Sequence, residues 1–189
     1  MTQPRPSPAH YGPAVIRLWQ QTGQRKTITV HGHSMQPLLR PGDRLTVACG
    51  VTTFRRGDLV VFYRQQQLVV HRAVRLNRST TGLTLVTKGD NALRCDAPLT
   101  INQVVGRVSG LSRGGQTVSI DRPGWRGVNH IIACLSLGSG RLVIMGARLK
   151  RRFCGRGGNP APPFIRLASG RLLRLGLHLM GLMMWRTGR

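Results

Sequence analysis

From Thr27 to Ile120 the apolar residues arrive in short runs: TITVH, DRLTVA, DLVVFY, QLVVHRAV, LTLVT, VVGRVSGL and QTVSI. Turn clusters at RPGD, RRGD, TTG, KGDN and RGGQ separate most of them. Runs of Val, Ile, Leu and Thr at this spacing predict a mainly β module, a small antiparallel sheet or partly closed barrel, over residues 24–121. Upstream, PAVIRLWQQ places Val15, Ile16, Leu18 and Trp19 on one face behind Pro13, which predicts a short amphipathic helix ended by Gly23. Residues 1–10 are Pro-rich and read as a disordered arm, so that 1–23 is arm plus helix.

Past Asp121 the pattern changes. GVNHIIACLSLGSGRLVIMGARLKRRF is apolar with Arg141 near its middle, and GRGGNPAPP reads as a linker near 155–163. The tail carries Phe164, Leu167, Leu172, Leu175, Leu179 and Leu182 at helical spacing, with Arg166, Arg171, Arg174 and His178 among them. Residues 122–189 are therefore expected to form a basic, apolar helical extension. Residues 128–147 are long enough to span a membrane, but a central arginine costs about 2.5 kcal/mol or more. The tail suits a helix lying among lipid headgroups.

Charge sharpens this picture. Lys+Arg is 29 against Asp+Glu 5, for a formal net charge of +24, and the sequence contains no glutamate. Such a balance implies an anionic partner. The amphipathic tail makes a membrane surface the expected one; nucleic acid is not expected. Asp43, Asp58, Asp90, Asp96 and Asp121 are the only acidic side chains, and each calls for an explanation. Cys49, Cys95, Cys134 and Cys154 have no CxxC spacing, which argues against zinc and dithiol chemistry and for reduced, buried thiols. No apolar run opens the chain, so no cleavable signal peptide is expected, and the predicted location is cytoplasmic, peripheral at a membrane.

Chemistry concentrates around Ser34 in HGHSMQPLLRPGD. A serine hydroxyl is a poor nucleophile until a base removes its proton and oriented N–H groups stabilise the oxyanion. Ser34 follows a predicted strand, Gly32 permits close backbone approach, and Pro37 stiffens what comes after. The candidate bases are His71, on the alternating run QLVVHRAV, and Lys88, in the polar KGDN turn. Asp90 and Asp96 are candidates for the carboxylate that orients a histidine. His31 and His33 alternate onto one face of an extended strand, yet no third ligand has matching spacing; neither metal nor cofactor is expected.

These residues add up to a resemblance. Ser34-Met35-Gln36-Pro37-Leu38 followed by Gly42-Asp43 resembles the nucleophile box of the type I signal peptidases. Arg56-Gly57-Asp58-Leu59-Val60-Val61-Phe62 resembles the next strand entry, and Val70-His71-Arg72-Ala73-Val74 the general-base box. That box carries lysine in the bacterial housekeeping enzymes; histidine here resembles the endoplasmic-reticulum and archaeal-like branch. Thr87-Lys88-Gly89-Asp90-Asn91 with Asp96 resembles the acidic box, and Val105-Gly106-Arg107-Val108 the closing strand. The likeness covers about residues 27–110, and the occurrence of these segments in the family's order makes it specific.

The resemblance implies a serine endopeptidase with Ser34 as nucleophile, His71 as general base, and Asp96, or in second place Asp90, as the orienting acid. The backbone at Ser34, with Met35 and Gly32 beside it, would support the oxyanion. The implied substrate is a peptide or precursor protein, held as an added strand and cut after small residues. Only a short amphipathic helix precedes the first strand, where the family carries a membrane anchor, so the chain resembles a leaderless, cytoplasm-side member that matures a leader-bearing precursor. Self-cleaving repressors share the β-fold but use a lysine base and an upstream helix-turn-helix. A further alternative is an inactive or regulatory module of the same fold whose basic tail binds an anionic membrane surface or nucleic acid.

Overall fold

The computed structural model describes residues 13–80 and 82–137. Helix α1 (Pro13–Thr22) leads into strands β1 (Arg25–Thr29), β2 (Arg44–Cys49), β3 (Leu59–Arg64), β4 (Gln67–Ser79), β5 (Gly82–Lys88), β6 (Leu99–Thr100), β7 (Val104–Arg113) and β8 (Gln116–Ser119). A second helix, α2, begins at residue 123 and runs through residue 137, the last described. The strands form one antiparallel sheet in the order β1-β2-β7-β3-β4-β5-β6, with β8 paired to β7. The sheet is not closed: β1 and β6 are its edges. A mainly β, antiparallel fold is thus what the alternating runs build, as an open sheet rather than a barrel.

Each predicted run lies on a strand, and the central one explains its own composition. In β3, Leu59 and Val61 join a core cluster with Ile28, Met35, Leu39 and Leu45, whereas Val60 and Phe62 join a second with Phe54, Ala73 and Leu85. A strand with apolar neighbours on both faces needs an unbroken apolar run, and LVVF supplies it. Burying side chains of this size stabilises the fold by about 1.5–3 kcal/mol each before the entropy cost of ordering them.

Two details differ from the sequence pattern. The short edge strand β6 lies in a stretch with no strand-like run, and it pairs with only Thr84 and Leu85. On α1, Ile16 is buried and Trp19 packs against the first core cluster, but Leu18 is 55% exposed. The helix is tied down instead by a polar side chain, as Gln20 Nε2 donates to the carbonyls of Val104 (2.7 Å) and Asn102 (3.0 Å).

The segment between β1 and β2 is the loop that carries Ser34. Its base is pinched shut by Val30 N–H donating to Asp43 O and Gly42 N–H donating to Val30 O, both at 2.8 Å. The buried Asp43 carboxylate then clamps it from inside. Asp43 accepts from Arg113 Nε (2.7 Å) and Nη2 (2.6 Å) and from the Arg40 N–H (2.7 Å), while Arg113 Nη2 also donates to Leu38 O at 2.9 Å. Met35 and Leu39 drive their side chains into the core and fix the loop's inner face. A loop held this way presents its outer residues rigidly.

Among the described residues no helix is long and apolar enough to cross a membrane. The linker near 155–163, the basic tail and the second half of 128–147 lie outside the described residues, as does Cys154.

Candidate active site

Ser34 sits at the exposed lip of its loop, in a turn where Gln36 N–H donates to His33 O at 3.2 Å. His71 comes from β4, opposite Val60 of β3. Alternation sends Leu68 and Val70 to one core cluster and Val69 and Ala73 to the other, leaving the imidazole beside the edge of the Phe62 ring, with centroids 5.8 Å apart. Asp96 comes from the loop after β5. Its own N–H donates to Thr87 O at 2.8 Å, which returns the loop onto the end of that strand.

The three side chains meet in one line. His71 Nε2 lies 3.1 Å from Ser34 Oγ, and His71 Nδ1 lies 2.6 Å from Asp96 Oδ2. Thr87 Oγ1 donates to the same carboxylate oxygen at 2.8 Å, and Arg64 Nη1 reaches Oδ1 at 3.4 Å. Burial alone would raise the Asp96 carboxyl; the bonds from His71 and Thr87, with the charges of His71 and Arg64, outweigh it and hold it below the ordinary carboxylate value. An ionised carboxylate only accepts, so His71 carries its hydrogen on Nδ1 and turns the Nε2 lone pair to Ser34.

Asp90 is not part of this line. Its two oxygens accept from Arg72 Nε (2.8 Å) and Nη2 (2.7 Å), in a pair whose side chains are 0% and 2% exposed. Its contribution is to the turn: Asn91 N–H donates to Ser34 O at 2.8 Å, and Gly89 lies so close that a Cβ there would stand 2.9 Å from Ser34 O and 3.2 Å from His71 Nε2. Any side chain at position 89 would push against both groups. Lys88, expected in a solvated turn, is instead the buried last residue of β5, and burial lowers its pKa against the opposing pull of Cys95 and Asp90.

The remaining candidates take other places. Among the described residues nothing lies within 4 Å of where a Cβ at Gly32 would stand, and the space beside it belongs to a cleft. The Met35 side chain is core. His33 Nδ1 pairs with Gln36 Nε2 at 3.0 Å, and His31 lines the cleft. Cys49 is buried as expected, but Cys95 is exposed. The cleft, about 390 Å³, runs past Ser34 between Ile28–His31 on one side and Gln67–Val70 on the other, floored by Met35 and Leu39. Both walls are strand backbone with an open edge. Among the described residues β1 pairs only with β2, and β5 takes up β4 only from Arg72 onward, so Gln67–His71 pair with β3 alone.

Thr87, Arg64 and Gly89 were not singled out by the sequence. Thr87 and Gly89 fall inside the TKGDN stretch, where a turn reading hides the fact that Thr87 still lies on β5 and turns its hydroxyl to Asp96.

A hydroxyl, an imidazole and a carboxylate in series at the lip of an apolar cleft form the kind of arrangement that serine peptidases use. The family model described as Peptidase S24-like matches residues 10–108, a little over half of the chain. The chain therefore belongs to the Peptidase S24-like family. No curated protein matches it.

Proposed function

We propose that the protein is a serine endopeptidase that cuts a peptide or precursor protein after small residues, with Ser34 as nucleophile, His71 as general base and Asp96 as the orienting acid. The observation that carries this reading is the unbroken series of Ser34 Oγ, His71 Nε2, His71 Nδ1 and Asp96 Oδ2 at 3.1 and 2.6 Å. Ser34 Oγ attacks the scissile carbonyl as its proton passes to His71 Nε2, and Asp96 stabilises the imidazolium that results. The tetrahedral oxygen bears the charge, and backbone N–H at Ser34, with the chain at Gly32 and Met35 beside it, is the group nearest to stabilise it. Collapse returns the proton to the leaving amine and leaves an acyl-serine, which water hydrolyses by the same base.

The two open strand edges flanking the cleft support binding of substrate as an added strand, by backbone bonds rather than large side-chain pockets. A cleft of about 390 Å³ floored by Met35 and Leu39 favours small apolar residues next to the cut. Histidine at position 71 favours the endoplasmic-reticulum and archaeal-like branch over the lysine-dependent enzymes. An inactive module holding an anionic surface through its basic residues would leave the Ser34–His71–Asp96 series without a use.

Incubating the protein and its Ser34→Ala variant with a diverse peptide mixture, and mapping new termini by mass spectrometry, tests the proposal. Cuts after small residues that vanish in the variant are expected. The same termini from both proteins would remove Ser34 from the mechanism, and His71→Ala checks the base in the same way.

A further inference from the structure

Helix α2 lies outside the residues matched by the family model, which end at 108. It nevertheless places a side chain into the most buried ion pair of the described residues. Asn129, 4% exposed, accepts at Oδ1 from Arg72 Nη1 at 2.8 Å. The same Nη1 donates to Gly57 O at 3.1 Å, and Nε and Nη2 hold Asp90. Four of the five guanidinium N–H groups thus have partners from three different elements, in a site with no access to water.

The contact is built into the backbone. A Cβ at Gly57, whose φ is +100°, would stand 2.7 Å from the carbonyl of Asn129 and the N–H of His130. Only glycine lets the turn before β3 and the helix approach this closely. Gly57 N–H in turn donates to Ala73 O at 2.8 Å, locking the turn to β4 immediately after Arg72.

We infer that Asn129 is a positioning residue for Ser34, acting through Arg72 and Asp90 on the turn of residues 89–91. The route is short and physical. Asn129 completes the acceptor set of Arg72; Arg72 fixes the rotation and depth of Asp90; Asp90 holds the turn whose Gly89 packs on Ser34 and His71 and whose Asn91 N–H bonds Ser34 O. Without Asn129, one N–H of a buried cation lacks its acceptor, and the guanidinium must shift to find another. A shift there moves the turn against Ser34, where displacements of about 1 Å cost on the order of 100-fold in rate. The consequence for catalysis rests on the proposed peptidase activity; the coupling of Asn129 to the turn does not.

The test compares Asn129→Leu, which keeps volume and removes the acceptor, with Asn129→Asp, which keeps an oxygen toward Arg72. Amide hydrogen exchange is read at Asn91, whose N–H bonds Ser34 O, and at Ile120, whose N–H bonds Ser109 O at 2.9 Å far along the chain. In Asn129→Leu, exchange at Asn91 is expected to quicken about tenfold or more while Ile120 is unchanged, and Asn129→Asp restores protection. Per folded molecule, kcat falls in Asn129→Leu by about 10- to 100-fold with KM little changed, and recovers in Asn129→Asp. Unchanged exchange at Asn91, or equal quickening at both amides, overturns the inference. Should Asn129→Leu not fold, Asn129→Ala is read by the same measurement. A wild-type protein that cuts no peptide would overturn the peptidase reading, while the exchange result would still decide the coupling.

Discussion

Asp90 closes a bidentate pair with Arg72 in which neither side chain is more than 2% exposed, whereas Asp96, 15% exposed, faces an imidazole and a hydroxyl. The two carboxylates belong to one loop and stand on either side of the same His71–Arg72 dipeptide. Their difference lies in the partner. A guanidinium stays charged at every pH the fold survives, so the Asp90 pair has one state and serves as a fixed point. An imidazole gains and loses a proton, so the Asp96 pair can follow a reaction. Adjacent residues on one strand, pointing to opposite faces, thus divide the loop into an anchored end and a working end.

The largest effect should come at the working end. Asp96→Asn turns an amide N–H toward His71 Nδ1, favours the wrong tautomer and should lower kcat by about 10⁴-fold, equivalent to ~5.4 kcal/mol, with the fold retained. Steady-state kinetics on a defined peptide measures this, and a loss under tenfold would take Asp96 out of the series. Asp90→Asn should act on stability instead. Removing one charge from a buried pair costs about 3–5 kcal/mol, read as a fall in the urea midpoint, and a small change would mean that Arg72 is satisfied without it.

Acid sharpens the contrast. Because the Asp96 carboxyl is held below its ordinary value of 3.8, its native contacts bind fewer protons than the unfolded chain does. That stabilisation is complete above the ordinary value and is lost as the pH falls through the lower native one. The stability gap between the wild type and Asp96→Asn should therefore hold steady near neutrality and close in acid, which denaturant titrations at several pH values would follow. Thr87→Val, which removes a hydrogen bond to the charged oxygen, should cost about 1.5 kcal/mol, and Arg64→Ala, which removes a guanidinium that is itself half in solvent, less than about 1 kcal/mol.

Much of this was legible in the sequence because periodicity and turn residues act locally. Seven of the strands announce themselves by alternation or by an unbroken apolar run, and Ser34, His71 and Asp96 could be named from their boxes. What separates Asp96 from Asp90 in three dimensions is the neighbour, histidine or arginine, that each carboxylate meets on β4. Lys88 looked solvated because its sequence neighbours are polar, although the sheet buries it. The β3–β4 hairpin gave no turn signal, since Gln65 and Gln66 adopt φ of 48° and 61° without the glycine or asparagine that usually marks such a turn. Asn129 was out of reach altogether, because a contact across 57 residues leaves no local trace.

The open sheet has a consequence for the protein in bulk. Each rim of a sheet is a template on which another molecule's strand can crystallise out. At one rim β6 is two residues long and offers too little to grip. At the other, β1 begins Arg25-Lys26, so two molecules meeting rim to rim bring four positive charges together before any hydrogen bond can form. Salt mutes that repulsion and leaves the rim's hydrogen-bonding groups untouched. High ionic strength, which keeps many basic proteins in solution, is the condition under which this one should begin to stack.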